Sequence, residues 1–271
     1  MYLTKHKSAA GSRWALDGRA LPQDFCLQRL LELAGSAIHD FLSETAGTEA
    51  ASGPLLAPLD ASSEVWAAGV TYLRSREARE AESSVKDVYA KVYDAERPEL
   101  FFKSPGWRVV AHGMPIRIRR DSRWNVPEPE LTLAINAHGE IVGFCAGNDV
   151  SSRDIEGENP LYLPQAKIYN GSCAIGPGIA LCAADTLRNL SIELTVLRGG
   201  SAVFADETRT SRIKRPLQDL VSYLRQELDF PHGAFLMTGT GIVPPDDFSL
   251  AWGDLVRISI GDLTLENDVA Q

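Results

Sequence analysis

Residues 127–149, PEPELTLAINAHGEIVGFCAGND, restrict the possible fold more than any other stretch of the chain. Between residues 127 and 135 the side chains alternate with the period of two that a β-strand requires. Residues 136–140 (NAHGE) have the composition of a turn, and residues 141–145 form a second apolar run. The stretch is therefore predicted to form a β-hairpin.

The expected pairing of this hairpin brings acidic side chains together. We take His138-Gly139 as a two-residue turn, which places Glu128 opposite Asp149. Glu130 then lies opposite Gly147, although a bulge or a longer loop would shift this register. Because directly opposed residues point to the same face of a sheet, the three carboxylates converge. They repel one another unless a cation lies between them, so the hairpin predicts a divalent metal site.

Composition and charge narrow the class of protein. The chain has 271 residues, 44% of them hydrophobic and 23% charged, as in an ordinary soluble globular protein. A net charge of −9 argues against binding to nucleic acid or to an anionic membrane. No apolar run reaches the length of a membrane span, and the N-terminus lacks the apolar core of a signal peptide. The four scattered cysteines favour reduced thiols, so we expect a cytoplasmic protein.

The order of the predicted elements indicates an α+β fold with two units. Residues 1–60 are expected to form a small N-terminal α/β domain with a linker, and residues 61–271 the catalytic domain. In the first unit, residues 25–42 carry apolar side chains at helical spacing, which Gly35 interrupts. Many strands and few helices in the second unit predict a mixed, mainly antiparallel β architecture with short helices.

A strongly charged segment precedes the hairpin. Half of residues 74–97 are Asp, Glu, Lys or Arg, yet Val85, Val88, Tyr89, Val92 and Tyr93 keep helical spacing. This pattern predicts an amphipathic surface helix that could act as a lid. The alternative is a solvated helix with i,i+4 ion pairs, which accounts better for most of the charges.

Other polar residues allow more than one interpretation. Lys167 lies in an otherwise apolar or amide-bearing stretch, and it is either a partner or base beside the carboxylates or an edge lysine facing solvent. Glu99 follows Pro98, where an acid is more often a turn residue. Glu156 and Glu158 compete for the metal role, but an i,i+2 pair diverges on a helix. Arg153 with Asp154 is read as a structural ion pair.

Several segments together resemble the fumarylacetoacetate hydrolase superfamily. They are VWAAGVTY, PEPELTLAIN, GFCAGNDVSSRD, NGSCAIGP, and MTGTGIVPP followed by WGD, in this order from about residue 64 to the C-terminus. The resemblance implies a mixed β-roll, a homodimer or higher homo-oligomer, and Mg²⁺, with Mn²⁺ or Ca²⁺ as alternatives. The residues it implies are the metal ligands Glu128, Glu130 and Asp149, the active-site Lys167, and the substrate-contacting loop of Thr238, Gly239 and Thr240.

One departure from the family pattern bears on the reaction. Hydrolytic members carry a histidine a few residues after the Tyr of the first strand, and this chain has Ser75 there. The segments TYLRSREARE, VYDAERPELFFK and ENPLYLPQAKIY instead resemble a lyase branch that dehydrates 2-keto-3-deoxy sugar acids. In that branch the glutamate after Arg-Pro is an active-site residue, which gives Glu99 here. Tyr72 and Arg76 become candidates for substrate binding.

The resemblance implies a Mg²⁺-dependent dehydratase of a 2-keto-3-deoxy sugar acid such as 2-keto-3-deoxy-D-arabinonate, giving 2-ketoglutarate semialdehyde. Lys167 would be the base and Glu99 the acid, although the two roles could be exchanged. One alternative is a metal-dependent acylpyruvate hydrolase or oxaloacetate decarboxylase on the same scaffold. Another is a non-catalytic sugar-acid binding protein. In each case the partner is a small 2-keto acid.

Overall fold

The fold consists of many strands and a few short helices. The structure is a computed structural model that describes residues 1–9, 11–45, 47–82 and 91–271. The strands are β1 (Tyr2–Ser8), β2 (Gly11–Leu16), β3 (Arg19–Ala20), β4 (Leu55–Leu56), β5 (Glu64–Gly69), β6 (Glu99–Pro105), β7 (Ile116–Arg117), β8 (Asn125–Val126), β9 (Pro129–Ile135), β10 (Ile141–Asp149), β11 (Ser151–Ser152), β12 (Cys173–Leu181), β13 (Ser191–Arg198), β14 (Ser201–Arg209), β15 (Ala234–Met237), β16 (Leu255–Ile260) and β17 (Leu263–Ala270). The helices are α1 (Leu27–Leu31), α2 (Gly35–Thr45), α3 (Leu73–Glu82), α4 (Arg153–Glu158), α5 (Leu163–Lys167) and α6 (Leu217–Leu224).

Two large sheets organise these elements. The larger has the order β3-β2-β1-β12-β10-β9-β15-β5-β6, with β4 also paired to β1. The smaller has the order β14-β13-β16-β17-β7. Among the described residues the β15–β5 and β17–β7 pairs are parallel and the other pairs are antiparallel. The predicted mixed, mainly antiparallel α+β fold is therefore confirmed.

Strands β9 and β10 lie in the middle of the larger sheet, and both of their faces are buried. Leu131, Leu133 and Ile135 pack into a cluster with side chains of the smaller sheet such as Ile258 and Leu265. On the opposite face, Ala134 joins a second cluster that includes the apolar sides of α1 and α2. Burial on both sides holds the hairpin rigidly and positions the acids at its open end.

The hairpin has the predicted register at its open end, although its turn differs from the prediction. Asn136 N–H donates to the carbonyl of Glu140 (3.1 Å), so the loop holds three residues rather than two. The pairing then shifts by one residue between Ile141 and Gly143, as in a β-bulge. The longer loop and the bulge cancel. Glu130 therefore pairs with Gly147, and Asp149 N–H donates to the carbonyl of Glu128 (3.0 Å).

Residues 25–42, which carry apolar side chains at helical spacing, form two helices, α1 and α2, with a break just before Gly35. Hydrogen bonds from the hairpin loop explain the break. Ala137 N–H donates to the carbonyl of Leu31, and the Asn136 side-chain amide donates to the carbonyl of Leu33. These carbonyls therefore have partners outside the helix, and Gly35 begins α2.

The remaining predictions have mixed outcomes. The charged segment is helical over α3, whereas Val85, Val88 and Tyr89 lie outside the described residues and the lid stays a prediction. The division at residue 60 also stays a prediction, although β1 pairs with β12 in the larger sheet. Among the described residues no helix is long and apolar enough to cross a membrane.

Candidate active site

The three predicted metal ligands converge at the open end of the hairpin. Glu128, Glu130 and Asp149 each offer one carboxylate oxygen, and these oxygens all lie within 4.8 Å of one another. All three side chains are buried, with at most 3% of each residue exposed. Three buried acids at this separation repel one another strongly, so the arrangement requires compensating positive charge.

Glu130 is the most strongly perturbed of the three acids. Burial raises the pKa of Glu130 well above its usual value, and the nearby charges of Asp149 and Glu128 raise it further. Its Oε2 accepts a hydrogen bond from the backbone N–H of Gly239 (2.7 Å), which favours the ionised form. This bond joins Glu130 directly to the loop of Thr238, Gly239 and Thr240, which we call the Thr-Gly loop.

Lys167 points into the acid cluster rather than towards solvent. Its ammonium donates to Glu128 Oε2 (2.8 Å), Asp149 Oδ2 (2.9 Å) and the hydroxyl of Ser151 (2.6 Å). The side chain is 3% exposed. The reading of Lys167 as an edge lysine is therefore wrong, and its position agrees with a partner or base beside the carboxylates.

Two further cations reach the same carboxylates, and sequence reasoning missed both roles. Arg153 forms an ion pair with Glu128 Oε1 (2.9 Å). Asp154 accepts a hydrogen bond from the Ser122 hydroxyl (2.6 Å), and its predicted ion pair with Arg153 stays a prediction. Lys103 forms an ion pair with Asp149 Oδ1 (2.5 Å) and is fully buried. A lysine directly after two phenylalanines was the available sequence signal.

Glu99 lines the same small pocket as the three acids and Lys167. It is the first residue of β6 and pairs with Gly69, the last residue of β5. A Cβ on Gly69 would lie only 2.0 Å from Glu99 Oε2, so the carboxylate occupies the space that glycine leaves. Its predicted position as a turn residue is therefore wrong, whereas its role as an acid stays a prediction.

The candidates for substrate binding separate into two groups. Gly239 and Thr240 line the pocket, and the Thr240 hydroxyl also contacts the carbonyl of Ile242 (3.2 Å). The Thr238 hydroxyl instead donates to the carbonyl of Leu131 (3.0 Å), inside the sheet. Thr238 therefore holds the loop in place, while Gly239 and Thr240 present it to the pocket.

Tyr72 and Arg76 are not among the residues that line this pocket. Tyr72 is buried, and its burial, followed by the charge of Glu130, raises the pKa of its phenol. Arg76 lies 3.3 Å from Glu80 and stacks on the ring of Tyr93. Arg76 thus contacts Glu80, another residue of α3, and the ring of Tyr93. Binding of substrate by Tyr72 or by Arg76 stays a prediction.

The pocket contains Ser75, at the position where the family resemblance implies a histidine in hydrolytic members. The Ser75 hydroxyl donates to the carbonyl of Tyr72 (2.8 Å), and the residue lines the pocket. None of the five histidines of the chain lines it. Glu156, on α4, adds another buried carboxyl to the wall. The pocket is therefore rich in carboxylates and has no imidazole base among its described lining residues.

The arrangement of charges fits a divalent cation. The potential ligands are all carboxylate oxygens, which Mg²⁺ and other hard cations prefer. Arg153 and the N–H of Gly239 hold Glu128 and Glu130, in the way that partners of ligating carboxylates fix their orientation. Glu128, Glu130 and Asp149 would therefore hold the ion.

Comparisons with known proteins agree with this geometry. The family model described as "Fumarylacetoacetate (FAA) hydrolase C-terminal" matches residues 64–270. The chain is 49% identical over 214 residues to a probable 2-keto-3-deoxyxylonate dehydratase of Haloferax volcanii, covering 78% of this chain and 73% of the relative. It is 43% identical over 208 residues to the 2-dehydro-3-deoxy-D-arabinonate dehydratase of Saccharolobus solfataricus, covering 74% and 69%.

The fold is also similar to that of a solved enzyme. A 2-keto-3-deoxy-D-arabinonate dehydratase complexed with magnesium and 2,5-dioxopentanoate superposes with a TM-score of 0.80 at 33% identity, covering 99% of this chain and 98% of the other. The family model and the curated relatives both cover most of the chain. This chain therefore belongs to the fumarylacetoacetate hydrolase family.

Proposed function

We propose that the chain is a Mg²⁺-dependent dehydratase of a 2-keto-3-deoxy sugar acid. The observation that carries the proposal is the meeting of Lys167 and Glu99 in the pocket that also holds the three-acid cluster. Elimination of water needs one group to remove a proton and another to donate one, and this pair supplies both. The names of the relatives at 49% and 43% identity support the same reaction.

The names of these relatives also narrow the substrate. In a five-carbon acid with C2 oxidised to a ketone and C3 reduced to a methylene, only C4 remains a stereocentre. The 2-keto-3-deoxy acids derived from D-xylonate and from D-arabinonate are therefore the same compound. We propose this D-configured pentonate as the substrate.

The protein residues divide the work of the elimination. When bound, the divalent ion supplies Lewis-acid polarisation of the 2-keto group, which acidifies the C3 protons. Lys167 removes a C3 proton, and Glu99 protonates the C4 hydroxyl as it leaves. The Thr240 hydroxyl and the backbone of the Thr-Gly loop contact the substrate carboxylate. The C4 hydroxyl leaves as water with the proton from Glu99, and the C3 proton stays on Lys167.

The product follows from a second proton transfer. Elimination leaves a double bond between C3 and C4, conjugated with the ketone. Return of a proton from Lys167 to C3, with removal of a C5 proton by the Glu99 carboxylate, gives the enol of a C5 aldehyde. Protonation at C4 with loss of the C5 hydroxyl proton completes 2,5-dioxopentanoate. The net change is loss of one water molecule. Lys167 carries the proton back to C3 in this scheme, because it has just removed a proton from that carbon.

Mass spectrometry of the products tests the proposal against its alternatives. The Mg²⁺-loaded protein is incubated with 2-keto-3-deoxy-D-arabinonate, its C4 epimer, fumarylpyruvate and oxaloacetate. We expect loss of water from the D-configured acid alone. Cleavage of fumarylpyruvate would indicate a hydrolase, and loss of CO₂ from oxaloacetate would indicate a decarboxylase. A folded, Mg²⁺-binding protein that changes none of the four would favour a binding protein.

Hydrogen exchange separates the base from the acid. 2-Oxopentanoate keeps the C3 protons but has no C4 hydroxyl, so its exchange with D₂O needs the base alone. We expect Glu99→Gln to retain C3 exchange and Lys167→Met to lose it. The reverse result would assign Glu99 as the base and Lys167 as the acid.

We also propose a cytoplasmic location and an oligomeric state. The four cysteines are free thiols, and two of them, Cys145 and Cys173, are buried, which suits the reducing cytoplasm. We propose a homodimer or a higher homo-oligomer, on the basis of the family resemblance. Light scattering coupled to size-exclusion chromatography measures the mass, and a monomer at micromolar concentration would contradict this part.

A further inference from the structure

Lys103 is a fully buried lysine whose ammonium lies against the acid cluster. It forms an ion pair with Asp149 Oδ1 at 2.5 Å. It also donates to the backbone carbonyl oxygen of Lys167 and lies 3.4 Å from the hydroxyl of Ser172. A buried ammonium is costly unless it is paired and hydrogen-bonded, so these contacts determine where this side chain can lie.

A β-bulge directs this side chain towards Asp149. Along the β5–β6 pair, Val65 lies opposite Ser104, but Trp66 lies opposite Phe102. The register therefore shifts at this point and leaves Lys103 as the extra residue of β6. Bulges re-aim side chains and are common beside active sites. Regular pairing would place a different side chain here.

The contacts of Lys103 link the two functional groups of the site. Each oxygen of Asp149 faces an ammonium: Lys103 forms an ion pair at Oδ1 without hydrogen-bond geometry, and the Lys167 ammonium donates to Oδ2 (2.9 Å). Ser172 Oγ also donates to the carbonyl of Lys167 (2.7 Å), so the backbone that carries Lys167 is fixed from the same side. One buried ammonium thus contacts both a proposed metal ligand and the main chain of the proposed base.

We propose that Lys103 is a positioning residue of the metal site. It fixes the plane of the Asp149 carboxylate and the main chain at Lys167, and it does not touch the substrate. The inference rests on the proposed metal site, because Asp149 acts through the ion. If Lys103 positions Asp149, removing its ammonium should weaken metal binding. If Lys103 only balances charge, removing its ammonium should strengthen metal binding.

Lys103→Met tests the direction of that change. Removing a positive charge beside the acids would, by Coulomb's law, tighten the binding of a divalent cation. Releasing the Asp149 carboxylate from its orientation would weaken it. Loss of a partner that orients a ligating residue commonly lowers metal affinity by about 10–100-fold. We therefore expect Mg²⁺ to bind at least about tenfold more weakly to Lys103→Met, by calorimetric titration of protein freed of metal with a chelator.

Lys103→Arg is the second variant, because Lys103→Met leaves Asp149 with one cation fewer and could fail to fold. Arginine keeps the charge but replaces a compact ammonium by a planar fork. Positioning predicts weaker Mg²⁺ binding for this variant too, whereas charge balance predicts no change. Circular dichroism establishes that each variant titrated is folded.

Lys5→Met is the matched control. Lys5 also contacts one aspartate and one backbone carbonyl, Asp60 (3.0 Å) and Leu59 (2.8 Å), but it lies on β1 and does not contact the acid cluster. We expect this variant to bind Mg²⁺ as the wild type does.

The outcomes separate the inference from the proposed function. Wild-type protein that binds no Mg²⁺ would overturn both. If the wild type binds Mg²⁺ and a folded Lys103 variant binds it as tightly or more tightly, only the inference fails. Weaker binding to the folded Lys103 variants, with Lys5→Met unchanged, supports the positioning role.

Discussion

Gly69→Ala is the sharpest test of the proposed position of the acid. Gly69 pairs with Glu99, and a Cβ at this position would lie 2.0 Å from Glu99 Oε2 and 2.6 Å from its Cδ. Nonbonded heavy atoms need roughly 3.5 Å, so the carboxylate must move by more than about 1 Å. The added methyl therefore displaces Glu99 without changing its chemistry.

We expect Gly69→Ala to lower the turnover number kcat more than the stability of the fold. A displacement of about 1 Å in a reacting group can lower the rate about 10²-fold, which corresponds to about 2.7 kcal/mol. The side chain can move aside by turning about 30° away from its rotamer, which costs about 0.5–1.5 kcal/mol. We therefore expect kcat to fall about 100-fold while the melting temperature changes by a few degrees. Steady-state assays on the keto acid and thermal melting measure the two effects.

Gly35→Ala provides a control with the same chemical change beside another glutamate. Its Cβ would lie 3.2 Å from Glu140 Oε2, on α2 and away from the pocket, so kcat is expected to stay at the wild-type value. Glu99→Gln completes the set. If Glu99→Gln is inactive and Gly69→Ala has wild-type kcat, the placement of the carboxylate is wrong. If both are fully active, Glu99 is not the acid.

Other perturbations act on the loop, the ligands and the base. Gly239→Ala is expected to lower stability, because Gly239 has φ +86° and a Cβ would lie 2.1 Å from Thr71 Oγ1. It is also expected to lower Mg²⁺ affinity, because the N–H of Gly239 donates to Glu130. An unchanged Mg²⁺ affinity in calorimetric titration would contradict this. Burial and the neighbouring acids raise the pKa of Glu130, and the ion needs the ionised carboxylate. Mg²⁺ affinity should therefore fall about tenfold for each pH unit below that pKa. A Mg²⁺ affinity that stays constant down to about pH 5 would refute this prediction. Lys167→Met should bind Mg²⁺ but lose about 10²–10⁴-fold in kcat, and near-normal turnover would exclude it as the base.

The hairpin could be predicted because its signals are local. The alternating pattern and the turn residues lie within 23 residues of sequence, residues 127–149, and they were enough to select the three acids. The form of the turn was missed because side-chain hydrogen bonds decide it. Asn136 Oδ1 accepts from the N–H groups of His138 (3.1 Å) and Glu140 (2.8 Å), and Gly139 adopts φ +78°. Such a three-residue loop is commonly followed by a bulge.

Other elements depend on distant parts of the chain. Residues 170–177 contain glycines and a proline, which are typical of a loop, yet β12 begins at Cys173 and pairs with β10 in the middle of the larger sheet. Gly178 explains this, since its Cβ would lie 2.3 Å from the carbonyl of Leu3 on β1. Glycine here permits close approach of strands rather than a turn. The partners of Lys103 and Arg153 are likewise set by tertiary packing, which periodicity does not encode.

A charge balance around the pocket links the metal to the protonation of the acid. Among the described residues, the acids that line it are Glu99, Glu128, Glu130, Asp149 and Glu156, and the cations paired with them are Lys103, Arg153 and Lys167. So many carboxyls in one pocket call for positive charge, and a divalent ion held by Glu128, Glu130 and Asp149 would supply part of it. The substrate carboxylate then adds a further negative charge, which favours a proton on one of the acids. The proposed elimination needs Glu99 protonated, which the charge of the substrate favours; it also needs a neutral amine on Lys167, which the same charge opposes.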